Sequence, residues 1–278
     1  MDLNFFQSLL YGLIAGLSDI LPVSAQAHKL ILLKVFGTDS EPPVLRLLIH
    51  MAILGALYYC CQAQIKRLIR QQKLARIPKK RRKRPVDMRS ILDVRLLQTM
   101  LIPVILGFGL YFKTVSIGNS LMWLAVFLFI NGIVLFLPRI LPSGNKDSRS
   151  MSRVDGLMMG LGATAAALPG ISSIGAATSV ATIRGTERSY ALNMALLMHM
   201  AVTAGMIIYD LYALVAYEAG TLTFGILMGY LFAAICAFVG TFLGVRVMRA
   251  LAVHTGFDVF SYYCWGLALF AFILYLSV

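Results

Sequence analysis

The sequence predicts an all-α integral membrane protein with six transmembrane helices plus two re-entrant helical hairpins, arranged as an inverted-topology repeat. Three observations predict it. Of the 278 residues, 59% are hydrophobic and only 13% are charged. Several apolar runs reach about 20 residues, enough to cross a hydrocarbon core about 30 Å thick. Two further apolar stretches, around Pro22 and Pro169, are interrupted by proline and small polar residues. A β-barrel does not fit, because barrel strands alternate over about 10 residues and these runs do not.

The first expected hairpin covers about 3–36. Its apolar arms flank the break Leu21-Pro22-Val23-Ser24-Ala25-Gln26-Ala27-His28, and neither arm is long enough to span alone. Irregular backbone at membrane depth is tolerated where protein buries it or where it lines a wet cavity. A first span follows at 44–63. The most basic stretch, 64–96, comes next, with Lys79-Lys80-Arg81-Arg82-Lys83-Arg84 at its centre. Spans 97–112 and 119–138 lead to a second basic loop, 139–153. The Gly- and Ala-rich segment 154–184, broken at Pro169-Gly170, is the second hairpin. Spans 189–215, 223–247 and 258–277 complete the chain. Two repeats follow from this division, 1–138 and 154–278.

The net charge of +13 lies mostly in loops. Topology accounts for it there, and nucleic acid is excluded as a partner. With 64–96 placed in the cytoplasm, all 25 Lys and Arg except Lys29, Lys34, Arg46 and Lys113 fall on that side or at its edge. Both termini then lie outside. The basic residues of 66–84 are suited to an anionic membrane surface, each worth roughly 1 kcal/mol near it; a merely solvated positive-inside loop is the simpler alternative. The first basic residue is Lys29, so no positively charged segment precedes the first apolar run, and no cleavable signal peptide is expected. Cys60, Cys61, Cys236 and Cys264 form no Cys-x-x-Cys pair and are expected to be packing residues, with no metal site.

The halves echo one another. Gly12-Leu13-x-x-Gly16-Leu17 answers Gly156-Leu157-x-x-Gly160-Leu161, and Leu48-Ile49-His50-Met51-Ala52 answers Leu197-Met198-His199-Met200-Ala201. Leu21-Pro22 answers Leu168-Pro169, with three extra residues between glycine and proline in the second half. The spans holding His50 and His199 run in opposite directions, so the repeats are inverted, as in many secondary transporters.

Ionisable groups inside a membrane are costly and are functional candidates by default. Asp19 and His28 flank the first break, and His50 and His199 sit in spans. The histidines are candidate proton carriers or phosphate donors, or else neutral rings bonded to backbone carbonyls. Ser24, Gln26, Gly170, Ser172, Ser173 and Thr178 lie at turns or half-helix starts, where exposed N–H groups bind phosphate. Small and hydroxyl residues there also serve simple close packing.

At these residues the chain resembles a known family, undecaprenyl-diphosphatase, the bacitracin-resistance type of undecaprenyl pyrophosphate phosphatase. Its first motif, approximately Glu-Gly-x-x-Glu-x-Leu-Pro-Val-Ser-Ser-x-Gly-His, meets Ala15-Gly16-Leu17-Ser18-Asp19-Ile20-Leu21-Pro22-Val23-Ser24-Ala25-Gln26-Ala27-His28. Its second, Pro-Gly-x-Ser-Arg-Ser-Gly-Ala-Thr, meets Pro169-Gly170-Ile171-Ser172-Ser173-Ile174-Gly175-Ala176-Ala177. The resemblance implies the same six-span, two-hairpin fold in a bacterial plasma membrane. It also implies an isoprenoid (pyro)phosphate lipid as ligand and a role in lipid carrier recycling for wall synthesis.

The departures fall on the chemistry: Ala15 and Asp19 for glutamates, Ala25 for serine, Ser173 for arginine. Losing an arginine removes a bidentate phosphate clamp, and one such loss typically costs about 10²–10³ in rate. The leading expectation is therefore binding of undecaprenyl phosphate with transport or flipping rather than hydrolysis. The alternative is an active undecaprenyl-diphosphate phosphatase with Asp19 and His28 as acid–base pair, and a third is a non-catalytic partner in an envelope complex. No cofactor is expected, except a divalent cation if the chain hydrolyses. A homodimer is a further expectation.

Overall fold

The structure is a computed structural model describing all residues except 1–2, 39–40, 115–119, 142–143, 217–222, 255 and 278. Among the described residues the chain is all-helical. The helices are α1 (Phe5–Ile20), α2 (Ala25–Val35), α3 (Pro43–Ala75), α4 (Met88–Thr114), α5 (Leu121–Ile140), α6 (Arg153–Thr164), α7 (Ser173–Ile183), α8 (Arg188–Ala216), α9 (Phe224–His254) and α10 (Val259–Ser277). Six of these, α3, α4, α5, α8, α9 and α10, are long and apolar enough to cross a membrane. The protein is a multi-pass membrane protein.

The six spans fall where the apolar runs place them, but α3 and α4 reach further into the basic stretch. The expected loop 64–96 shrinks to 76–87. The cause is local: 62–75 is rich in Gln, Lys, Arg, Leu and Ala, all strong helix formers, so the helix outlasts its apolar face. Arg82 then stops α3 by donating to the carbonyls of Ala75 and Ile77 at 2.7 and 2.6 Å, which occupies carbonyls left free at the helix end.

The two remaining pairs, α1–α2 and α6–α7, are short helices joined by proline-containing breaks. Both first arms start with reciprocal caps, Asn4 with Gln7 and Ser152 with Asp155. Pro22 cannot continue α1, and the turn into α2 passes through Ser24 at φ +66°. Pro169 and Gly170, the latter at φ +108°, separate α6 from α7. Glycine is required there twice over, since a Cβ would press on the Leu128 nitrogen and Leu124 oxygen of α5. The 11-residue α7 is enclosed on nearly all sides although four of its residues are Gly or Ala and four carry hydroxyls. Small side chains let its neighbours close in.

Each hairpin packs on a span from the other half of the chain. Gly12 and Gly16 of α1 lie directly on the backbone of Ala233 and Ala237 in α9, and Gly240 returns the contact onto Leu13. Gly156 and Gly160 of α6 lie on Leu96 and Met100 of α4. The helices α3 and α8 pack together, as do α5 and α10, while α3 meets α4 and α8 meets α9.

Candidate functional site

The two breaks meet inside the molecule. Asn131 of α5, fully buried, is the junction: its Nδ2 donates to the Pro22 carbonyl at 3.0 Å, and its Oδ1 accepts from the Ser172 N–H at 3.0 Å. Gly175 sits against Pro22, where a Cβ would come within 2.7 Å of the proline ring. Two hydroxyls at this junction are already engaged. Ser172 Oγ accepts from the Gly175 N–H at 3.2 Å and caps α7, while Ser173 Oγ donates to the Ala163 carbonyl at 3.1 Å. Ser24 Oγ and Thr178 Oγ1 are buried with no hydrogen-bond partner among the described residues. Ser24 combines that open hydroxyl with left-handed backbone, the kind of local strain that gathers at functional sites.

A second cluster holds the charges. His199 of α8 bonds through Nε2 to Asp19 Oδ2 of α1 at 2.7 Å, and its other nitrogen, Nδ1, is buried and unpartnered among the described residues. His50 of α3 bonds through Nδ1 to Asp210 Oδ2 of α8 at 2.6 Å. The other oxygen of Asp210 takes Arg46 Nε at 2.6 Å, so that one fully buried carboxylate is shared by a guanidinium and an imidazole ring. Lys29 pairs with Glu41 at 3.1 Å. Each carboxylate in the two histidine pairs faces a ring from the other half of the chain. Burying such charges is tolerated because each is paired and hydrogen-bonded.

A family model described as bacitracin resistance protein BacA matches residues 8–270. The chain belongs to that family. Curated relatives are similar along their whole length. An undecaprenyl-diphosphatase of Carboxydothermus hydrogenoformans is 28% identical over 272 residues, 98% of both chains. One of Methanobrevibacter smithii is 26% identical over 275 residues, 97% of both chains. One of Methanococcus maripaludis is 26% identical over 273 residues, 97% of this chain and 100% of the relative.

Within this BacA-family chain the residues singled out from sequence divide into three groups. Asp19, His50 and His199 converge in the charged cluster. Ser24, Gly170, Ser172, Ser173 and Thr178 lie at or near the junction of the breaks, and Gln26 is half-buried in the first turn of α2. His28 goes elsewhere. Its Nδ1 donates to the Ser24 carbonyl at 2.8 Å, which leaves Nε2 to accept from the Tyr263 hydroxyl at 2.7 Å. The expected pairing of Asp19 with His28 is therefore replaced by Asp19 with His199, because α2 turns His28 toward α10.

Asn131, Asp210 and Tyr263 were not singled out as site residues. Asp210 lies 11 residues after His199, three turns along one helix face, and the general cost of an intramembrane carboxylate marks it. Asn131 carries the same mark, as an amide inside an otherwise apolar span. Among the described residues no group of three His, Cys, Asp or Glu converges to hold a metal ion.

Proposed function

We propose that this protein is a membrane-embedded phosphatase of isoprenoid diphosphate lipids such as undecaprenyl diphosphate. The observation that carries it is the Asp19–His199 pair. With its Nε2–H donating to Asp19, neutral His199 is held in one tautomer, and the unpartnered Nδ1 keeps a lone pair for accepting a proton. In the proposed reaction His199 Nδ1 takes the proton of a water that attacks the terminal phosphorus. The bond from that phosphorus to the bridging oxygen breaks, giving lipid monophosphate and inorganic phosphate. Asp19 stabilises the imidazolium that forms, and Arg46 and Lys29 offer the headgroup their charge in competition with Asp210 and Glu41. Nδ1 is buried in the free protein, so the side chains around it must move aside to admit the headgroup.

The helix pairings support the arrangement proposed with it: two inverted repeats, each with a re-entrant hairpin resting on a span of the other. Exchanging the halves turns α1 on α9 into α6 on α4, and α3 on α4 into α8 on α9. The basic loops would then face the cytoplasm of a bacterial plasma membrane, with both termini outside.

The test is phosphate release by purified protein from farnesyl or undecaprenyl diphosphate. His199→Gln and Asp19→Asn are expected to lower kcat by about 10²–10⁴. His28→Gln is expected to have a far smaller effect, since its ring faces Tyr263. A second function, carriage of the lipid monophosphate without hydrolysis, is favoured by one observation. Ser173 stands where the family motif has arginine, and its hydroxyl is spent on Ala163. Wild-type protein that binds the monophosphate yet releases no phosphate from either diphosphate would replace the first proposal with the second.

A further inference from the structure

A separate cavity of about 330 Å³ opens at the end of the molecule that carries the basic loops, away from Lys29 and Arg46. Its lining joins α5, α7, α8 and the start of α10, and includes Arg139, Arg188, Asp258, Ser179, Thr182 and Leu135. Two guanidinium groups face one carboxylate. Arg139 Nη1 donates to Asp258 Oδ2 at 3.1 Å and to the Tyr262 hydroxyl at 3.3 Å, so one cationic charge is in excess. Gly256, at φ +98°, keeps the space beside Arg188 open: a Cβ there would come within 3.1 Å of the guanidinium carbon and Nη1.

Ser179 carries the decisive feature. The residue is 2% exposed, it lines the cavity, and its Oγ has no hydrogen-bond partner among the described residues. A buried hydroxyl left unpaired is costly unless a ligand or water completes it. Beside it, Thr182 donates its hydroxyl to the Thr178 carbonyl at 2.8 Å and so presents its lone pairs elsewhere. Guanidinium forks with an adjacent hydroxyl donor match the oxygens of a phosphoryl group.

The cavity also points toward the junction of the two breaks. Ser172, Gly175, Ser179 and Thr182 are spaced 3, 4 and 3 residues apart, which puts them on one face of α7. Leu135 lines the cavity and presses on Gly175, which in turn rests on Pro22. One leucine side chain thus stands between the cavity and the Pro22–Asn131–Ser172 junction.

We propose that this cavity is a second anion site, taking a phosphoryl group between Arg139, Arg188 and Ser179 at the basic end of the molecule. The group is either the headgroup of a prenyl monophosphate or free inorganic phosphate. The site stands independently of hydrolysis at Asp19–His199.

Equilibrium dialysis of the full-length protein in detergent against ³²P-labelled inorganic phosphate and farnesyl phosphate tests it. Wild type is expected to show saturable binding of at least one. Arg139→Gln with Arg188→Gln should weaken that binding tenfold or more, and Arg149→Gln, an exposed arginine outside the cavity, should not. Ser179→Ala removes a hydroxyl that bonds nothing in the free protein, so the unfolding temperature should hold while binding weakens roughly fivefold. Binding of farnesyl phosphate alone identifies a lipid headgroup site, and equal binding of both identifies a free-phosphate site. The proposal is overturned if wild type binds neither, or if a folded double arginine variant keeps wild-type affinity. Should that variant fail to fold, unchanged affinity in Ser179→Ala overturns it instead.

Discussion

Asp210 shows how much rests on single side chains inside this membrane protein. It is fully buried and accepts from both Arg46 and His50. Asp210→Ala leaves the Arg46 cation without its carboxylate, a loss expected to cost about 3–5 kcal/mol and to show as a lower unfolding temperature in detergent. Arg89→Ala, which removes only the exposed pair with Asp147, should leave the transition where it was, since the Arg89 side chain is 58% exposed. Ser24 makes the opposite kind of prediction. Its backbone sits at φ +66°, so Ser24→Gly should relieve strain and stabilise by about 1 kcal/mol. If the open hydroxyl serves the headgroup, the same variant should turn over substrate more slowly, and a variant both more stable and equally active would remove Ser24 from the site. The sequence marked Asp19, His50 and His199 through the cost of burying charge, but not which of them pair, nor Asp210 as the partner of His50. Which residue a ring faces depends on helix rotation, and so His28 pointed toward Asp19 in the linear motif yet meets Tyr263 in space.

The breaks and the glycine faces govern the helices. Asn131 satisfies the Pro22 carbonyl and the Ser172 N–H at once. Asn131→Leu keeps the volume but abandons the Ser172 N–H and leaves the Pro22 carbonyl only the Cys264 thiol at 3.6 Å, at about 1–3 kcal/mol for the unsatisfied donor; thermal unfolding in detergent checks it, with Asn131→Asp restoring the bond to Ser172 alone. Gly16→Leu would drive a side chain into the Ala237 backbone and Gly160→Leu one into Met100, with several kcal/mol at stake because backbone cannot step aside. Folded yields should fall sharply for both, whereas Gly225, with open space around it, should accept alanine without loss. The apolar runs, the proline breaks and the paired Gly-x-x-x-Gly faces were plain in the sequence, because period and composition carry them. The extension of α3 to Ala75 was not, because the apolar run ends near residue 63 while helix propensity continues through the charged residues beyond it.

At the scale of the whole molecule, residues distant in sequence complete one another. The proposed orientation predicts that Lys80→Cys in intact cells resists a membrane-impermeant thiol reagent and reacts once cells are permeabilised. Labelling of intact cells would reverse it. The mutual reliance of the halves has a consequence for biosynthesis. The Gly12–Gly16 face enters the bilayer long before its cover, α9, leaves the ribosome, and Asp19 arrives some 180 residues ahead of His199. Until then the nascent chain must keep an uncompensated carboxylate near water or shelter it in the insertion machinery. A chain stopped after α7 should therefore be a degradation target rather than a stable half-protein, while co-expression of the missing C-terminal piece should rescue it.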